Sequence, residues 1–178
     1  MSDDYDEQPL FSQLAEDWAA HGKDWTRPGF RAVAVHRFGN WRMKVKPKVL
    51  RAPFSVLYRA MFRGVRNIYD IELPYTVKVG RRVVFQHQGG VVIHGAVEIG
   101  DDSVIRQGVT LGNKRLNQPN DAPKIGKRVN VGAGAKVLGA VVVGDDAAIG
   151  ANSVVLKHVD RGTTVVGVPA RPMRDTKD

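Results

Sequence analysis

The sequence predicts a mainly β fold, a parallel β-helix built as a hexapeptide solenoid, with a small α-helical N-terminal region. Three observations lead there. Aliphatic residues recur every six positions at Ile93, Ile99, Ile105 and Leu111, then at Ile125, Val131, Val137, Val143, Ile149 and Val155. Glycine follows many of them, at Gly100, Gly112, Gly126, Gly132, Gly144 and Gly150. The position four after each is small or β-branched: Val97, Ser103, Val109, Val129, Ala135, Val141, Ala147 and Ser153. Plain strand alternation would not restrict glycine to one phase, so the period belongs to a stacked repeat. Each hexapeptide makes one flat face of a prism, with its aliphatic residue inward and glycine relaxing the backbone at the corner.

Taken along the chain, residues 1–70 form the helical region. Leu10, Leu14 and Trp18 are spaced for a helix from Pro9 to Trp25, and similar patterns run from Phe30 to Trp41 and from Leu50 to Ile68, punctuated by Pro28, Pro47 and Pro53. The aromatic residues Phe30, Phe38, Trp41, Phe54, Tyr58 and Phe62 are read as packing. The basic residues Arg42, Lys44, Lys46, Lys48, Arg51, Arg59, Arg63 and Arg66 are read as a solvated face, with contact to a membrane surface or an acidic glycan as the competing reading. The solenoid occupies residues 71–158. An earlier phase at Val79, Phe85 and Val91 precedes a two-residue slip, which puts the start of regular coiling near Val77 and gives about four turns on this repeat count. Between Leu111 and Ile125 the step is fourteen residues instead of six. The surplus forms a polar loop within residues 113–124, placed outside the prism where function tends to sit. Residues 159–178 make a cap and tail, the segment from Val159 to Arg174 closing the open end of the stack.

Composition narrows the chemistry. The 178 residues include no cysteine, which removes disulfides, thiolate metal sites and a cysteine nucleophile together. The net charge of +9 favours an anionic partner, and no nucleic-acid module is recognisable among the basic residues, so nucleic acid is not expected. No apolar run approaches a membrane span, and the acidic start from Met1 to Gln8 is unlike a secretory signal, which suggests a cytoplasmic protein.

From about Ile71 to Arg174 the chain resembles the serine acetyltransferase branch of the hexapeptide acyltransferases. The resemblance rests on KVGRRVVFQHQGGVVI, GVTLGN, PKIGKRVNVGAGAKVLG, IGANSVVLKHV and VVGVPAR. It implies left-handed coiling, a homotrimer, and acetyl-CoA as donor with no metal. Within the branch, APFSVLYR, VGRRVVFQH and IRQGVTLGN resemble exopolysaccharide O-acetyltransferases of the colanic-acid type more closely. The departures point the same way. The serine enzymes have Asp-His where this chain has Gln86 and His87, and Arg-His where it has Asp121 and Ala122; those groups hold the amino acid. This chain also has a shorter helical region and ends at Asp178 without the Ile-ended tail of those enzymes. The expected function is therefore transfer of acetyl from acetyl-CoA to a sugar hydroxyl in exopolysaccharide biosynthesis. Serine O-acetyl transfer and a catalytically silent scaffold are the alternatives.

Acetyl transfer to an alcohol needs a base, donors for the oxyanion and a cofactor site. The resemblance assigns the base to His87, with His94 second; His21, His36 and His158 are read as structural. By the family's fifteen-residue count the acid behind the base is Glu72, with Asp70 the competitor. Backbone N–H groups near Gly112 and Asn113 are expected to hold the oxyanion. The pantetheine arm is expected along Ala133, Gly134 and Ala151, with Lys157 and Arg171 meeting phosphates. A zinc site of the carbonic-anhydrase relatives would need three histidines, and the spacing of His87, His94 and His158 does not suggest one.

Overall fold

The computed structural model describes residues 8–115, 117–118 and 120–173. The ends of the helical region and of the tail, residues 1–7 and 174–178, and Leu116 and Pro119 of the inserted loop lie outside the described residues. Three helices come first, α1 (Leu10–Ala20), α2 (Pro28–Lys44) and α3 (Lys48–Tyr69). Short strands then wind round three faces. Face 1 carries β1 (Ile71–Glu72), β4 (Val91–Ile93), β7 (Thr110–Gly112), β10 (Lys136–Leu138) and β13 (Val154–Val155). Face 2 carries β2 (Lys78–Val79), β5 (Glu98–Ile99), β8 (Lys124–Ile125) and β11 (Val142–Val143). Face 3 carries β3 (Val84–Phe85), β6 (Val104–Ile105), β9 (Asn130–Val131), β12 (Ala148–Ile149), β14 (Thr164–Val166) and β15 (Arg171–Pro172). All pairings are parallel except β14 with β15, a hairpin that ends face 3. The fold is the left-handed β-helix that the hexapeptide period and its resemblance implied. Its first strand is β1, earlier than the regular phase near Val77, because Ile71 and Leu73 already point into the core.

Every aliphatic residue of the six-residue register from Ile93 to Val155 is buried, and so is every small residue four positions after it. Ser103 and Ser153 fit this interior because each hydroxyl is satisfied: Ser103 Oγ donates to the Gly126 carbonyl at 2.9 Å, and Ser153 Oγ accepts from the Gly167 N–H at 3.0 Å. The glycines serve differently from expectation. Those following the aliphatic residues are not at positive φ; a Cβ on Gly100 would come within 2.5 Å of the Gly126 backbone in the next coil. Close approach of the next coil's backbone accounts for Gly100, Gly126, Gly132 and Gly144, whereas a Cβ on Gly112 would meet nothing nearer than 3.9 Å. The left-handed residues at the corner between faces 2 and 3 are instead Arg82, Asp102, Arg128 and Asp146. These stack as an alternating charge ladder, with Arg82 to Asp102 and Arg128 to Asp146 both at 2.6 Å.

The first coil has no neighbour below it, so its strand carbonyls need other donors. Helix α2 supplies them. The His36 ring donates through Nε2 to the Val77 carbonyl at 2.8 Å, and Arg37 donates to the Val79 and Gly80 carbonyls at 2.7 and 2.6 Å. Gly29 lets α2 approach this closely, since a Cβ there would lie 1.9 Å from the Phe85 carbonyl oxygen. Arg37 is also paired with Asp17 of α1 at 2.9 Å, with both side chains buried. Thus α1 buries Gln13 and Asp17, while of the expected apolar stripe Leu10 and Leu14 are half-buried and Trp18 is exposed. Arg42 likewise leaves the expected solvated basic face. It is buried between the rings of Tyr58 and Tyr75, at 4.4 and 4.5 Å from their centroids. The aromatic residues pack as read from sequence, with Trp41 edge-on to Phe54 at 5.3 Å.

Burial, reinforced by the charge of Arg37, drives the His36 pKa from 6.5 down to about 3. The folded protein keeps the ring neutral while the unfolded chain protonates it below pH 6.5, so the unfolded state binds more protons between these values. Stability contributed by this residue is full above pH 6.5 and falls as pH drops, by up to about 1.4 kcal/mol per unit. Melting curves from pH 7 to 4.5 are expected to show this slope in the native protein and a shallower one in His36→Gln.

Candidate active site

The corner where face 3 turns into face 1 is built by stacking one turn on the next. The Gly108 N–H donates to the Gly89 carbonyl at 2.7 Å, the Gly134 N–H to Gln107 at 2.8 Å, and the Asn152 N–H to Ala133 at 2.8 Å. Phe85 is in register with Ile105, and Val92 with Thr110. The chain therefore spends seven residues where the next coil spends five. Gly90 stacks on Gly108, so the two surplus residues are His87 and Gln88. This is the two-residue slip of the repeat. Its physical outcome is a bulge that carries His87 out of the prism, exposed, with a ring that makes no hydrogen bond to the described residues.

Beneath the bulge lies Asp70, the left-handed cap of α3. Its carboxylate accepts the Gly90 N–H at 2.6 Å, three residues from His87. Glu72 is half-buried and sits two residues further along β1, in register with Val92 on face 1. Above the bulge the corner is lined by small residues. Gly108 and Gly134 form one column, in which a Cβ on Gly134 would come 2.0 Å from Asn152 Oδ1. Ala133 and Ala151 are in adjacent turns beside it. Hence His87, Asp70, Ala133, Gly134 and Ala151 share one corner.

The remaining expected residues lie elsewhere. Gly112 is buried at the far end of β7, paired with Leu138, and Asn113 follows it with its amide donating to the Arg115 carbonyl at 3.0 Å. His94 is on that same edge, its Nδ1 accepting the Ala96 N–H at 3.3 Å. Lys157 and the inserted loop are there too: Lys114, Asp121, Leu138, Gly139, Leu156 and Lys157 line a groove of about 530 Å³. Lys157 and Arg171 both line a smaller depression of about 140 Å³ at the C-terminal end of the prism. Within one chain, then, face 1 separates His87 from Gly112 and Asn113. Two cations that the sequence reading passed over stand at the His87 corner. Arg106 donates to Gln86 Oε1 and Asn130 Oδ1, both at 2.8 Å, and Lys136 reaches the Gly108 carbonyl at 2.5 Å. The twenty-residue interval from Gln86 to Arg106, one bulged turn, was the available signal. No group of three His, Cys, Asp or Glu suited to a metal occurs among the described residues.

Comparison with known proteins decides the family. The chain is 42% identical over 169 residues, 93% of each chain, to the serine acetyltransferase of Helicobacter pylori strain J99. The chain belongs to the serine acetyltransferase family. The serine acetyltransferase of Mycobacterium tuberculosis strain H37Rv is 39% identical over 144 residues, 81% of this chain and 60% of that one. A family model described as bacterial transferase hexapeptide (six repeats) matches residues 122–157. Among solved structures, serine acetyltransferase of Brucella abortus strain S19 in complex with coenzyme A has a TM-score of 0.77 at 30% identity, covering 92% of this chain and 67% of that one. Soybean serine acetyltransferase complexed with serine also has a TM-score of 0.77 at 30% identity, covering 92% and 69%.

The expected acyltransferase class and acetyl-CoA as donor are borne out by this membership and by the coenzyme A complexes among its relatives. The expected exopolysaccharide acceptor is overturned, because the relatives found across the whole chain are serine acetyltransferases. The structure explains why the local departures misled. Ala122 is buried at the root of the loop. Asp121 is spent on the Ala140 N–H at 2.8 Å, and Gln86 is tied to Arg106. These local departures therefore weigh less on the acceptor than the relationship across the chain does. The short helical region is equally uninformative, since the H. pylori enzyme is of comparable length.

Proposed function

We propose that this protein is a serine O-acetyltransferase of cysteine biosynthesis, moving acetyl from acetyl-CoA to the hydroxyl of L-serine. The observation that carries this is the 42% identity extending over 93% of both chains. His87 is the general base. It takes the proton from the serine hydroxyl as that oxygen attacks the thioester carbonyl, and returns it to the departing CoA thiolate. Its exposure on a bulge supports access to both substrates. The acid that orients the ring is either Asp70 or Glu72, and the hydrogen bond from Gly90 to Asp70 supports Asp70. A ring so oriented keeps one nitrogen protonated toward the carboxylate and the other free to accept.

The glycine and alanine columns at Ala133, Gly134 and Ala151 leave room for the pantetheine arm. Lys157 and Arg171, with Arg106 and Lys136, supply positive charge for the phosphates. Backbone N–H groups near Gly112 and Asn113 serve the oxyanion. Since face 1 separates these from His87 in one chain, a homotrimer is the natural assembly, with the site completed between neighbouring subunits. Among the described residues no helix is long and apolar enough to cross a membrane. A cytoplasmic location fits the supply of acetyl-CoA.

The test is release of free thiol from acetyl-CoA in the presence of L-serine. The chain contains no cysteine, so all the thiol signal is CoA. Asp70→Asn is expected to lower kcat by about 10²–10⁴-fold, with Glu72→Gln close to native. The reverse ranking would assign the orienting role to Glu72.

A further inference from the structure

Residues 25–69 contain eleven Lys and Arg and no Asp or Glu, which exceeds the +9 net charge of the whole chain. Most of this segment is α2 and α3. Helix α3 buries only Tyr58 and Val65, so most of its circumference is open. Val49, Leu50, Val56, Leu57, Met61 and Ile68 are exposed along it, Val49 by 79% and Ile68 by 72%. Leu50, Leu57, Met61 and Ile68 are spaced seven, four and seven apart, which aligns them as one row along a 22-residue helix. At about 100° per residue the exposed cations Lys48, Arg59, Arg63 and Arg66 lie about 140–180° round the helix from that row, with the exposed Pro53, Val56 and Ala60 on the open arc between them. A Cβ on Gly64 would touch nothing within 4 Å, so no described residue packs over the helix at that point. At Leu57 the row runs into an apolar groove of about 600 Å³ that includes Phe11, Phe38, Trp41 and Phe54.

We propose that α3 docks the protein on an anionic lipid bilayer surface, lying in the plane of the interface. Charge decides among the occupants. A second copy packed on the same face would bring together two segments of eleven cations each, with no carboxylate on α2 or α3 to pair them. A nucleic acid or acidic glycan would satisfy the arginines and leave the apolar row wet. An anionic bilayer satisfies both, taking the apolar row to the acyl boundary and the cations to the phosphates.

The experiment is co-sedimentation of the whole protein with vesicles of phosphatidylcholine alone and of phosphatidylcholine with phosphatidylglycerol in equal amounts. Binding is expected only to the anionic vesicles and weakens as salt is raised. The triple variant Arg59→Glu, Arg63→Glu, Arg66→Glu should lose partitioning on the order of 100-fold or more. The variant Leu50→Ser, Leu57→Ser, Ile68→Ser should also lose binding, with circular dichroism, thiol release with free serine and mass by light scattering unchanged. Three results would overturn the proposal: no binding to anionic vesicles, undiminished binding by either variant, or a change of assembly mass in the serine variant, which would make the row a contact between copies.

Discussion

Replacing His87 by alanine is expected to lower kcat for acetyl transfer by about 10²–10⁴-fold, the contribution typical of a positioned general base. The dissociation constant for acetyl-CoA should change little, because the contacts proposed for the cofactor come from the glycine and alanine columns and not from the imidazole. Folding should also be unaffected: the ring is exposed and makes no hydrogen bond to the described residues. Equilibrium binding of acetyl-CoA together with steady-state rates checks both halves. A variant that turns over at the native rate would remove His87 from the chemistry. The same loss in His94→Ala but not in His87→Ala would move the base to the opposite edge of face 1.

The largest expected effect on stability comes from Arg37→Met. This change leaves Asp17 charged, buried and unpaired, and strips the first coil of the donors on the Val79 and Gly80 carbonyls. Breaking a buried pair from one side costs about 3–5 kcal/mol. Denaturant unfolding followed by circular dichroism measures it. Arg82→Ala, which cuts a half-exposed pair of the corner ladder, provides the contrast and should cost no more than about 1 kcal/mol. Similar losses for the two variants would mean that α1 and α2 do not cap the solenoid through Arg37.

These two residues also mark what the sequence made legible. The prism was readable because its determinant is local and periodic: one inward aliphatic residue per hexapeptide, repeated from Ile93 to Val155. Even the irregularity was readable as a slip, although its consequence, the projection of His87, required the register of Phe85 with Ile105 and of Val92 with Thr110. The cap was not readable. Arg42 looked like a member of a solvated basic face and Arg37 was given no role, because their partners, the two tyrosine rings for one and Asp17 and the strand carbonyls for the other, are brought to them only by tertiary packing. For the orienting acid, counting fifteen residues back from the histidine selects Glu72, and the hydrogen bond from Gly90 supports the competitor Asp70. The acceptor was misjudged because Gln86, Asp121 and Ala122 were read as the loss of the groups that hold serine, and these few positions were weighed above the relationship across the chain.

The most direct test of the central claim is to identify the acetylated product when the purified protein is given acetyl-CoA with equal concentrations of L-serine and a panel of free and nucleotide-linked sugars. The proposed function predicts O-acetylserine formed mole for mole with free CoA, and no acetylated sugar. Acetylated sugar with serine untouched would contradict it.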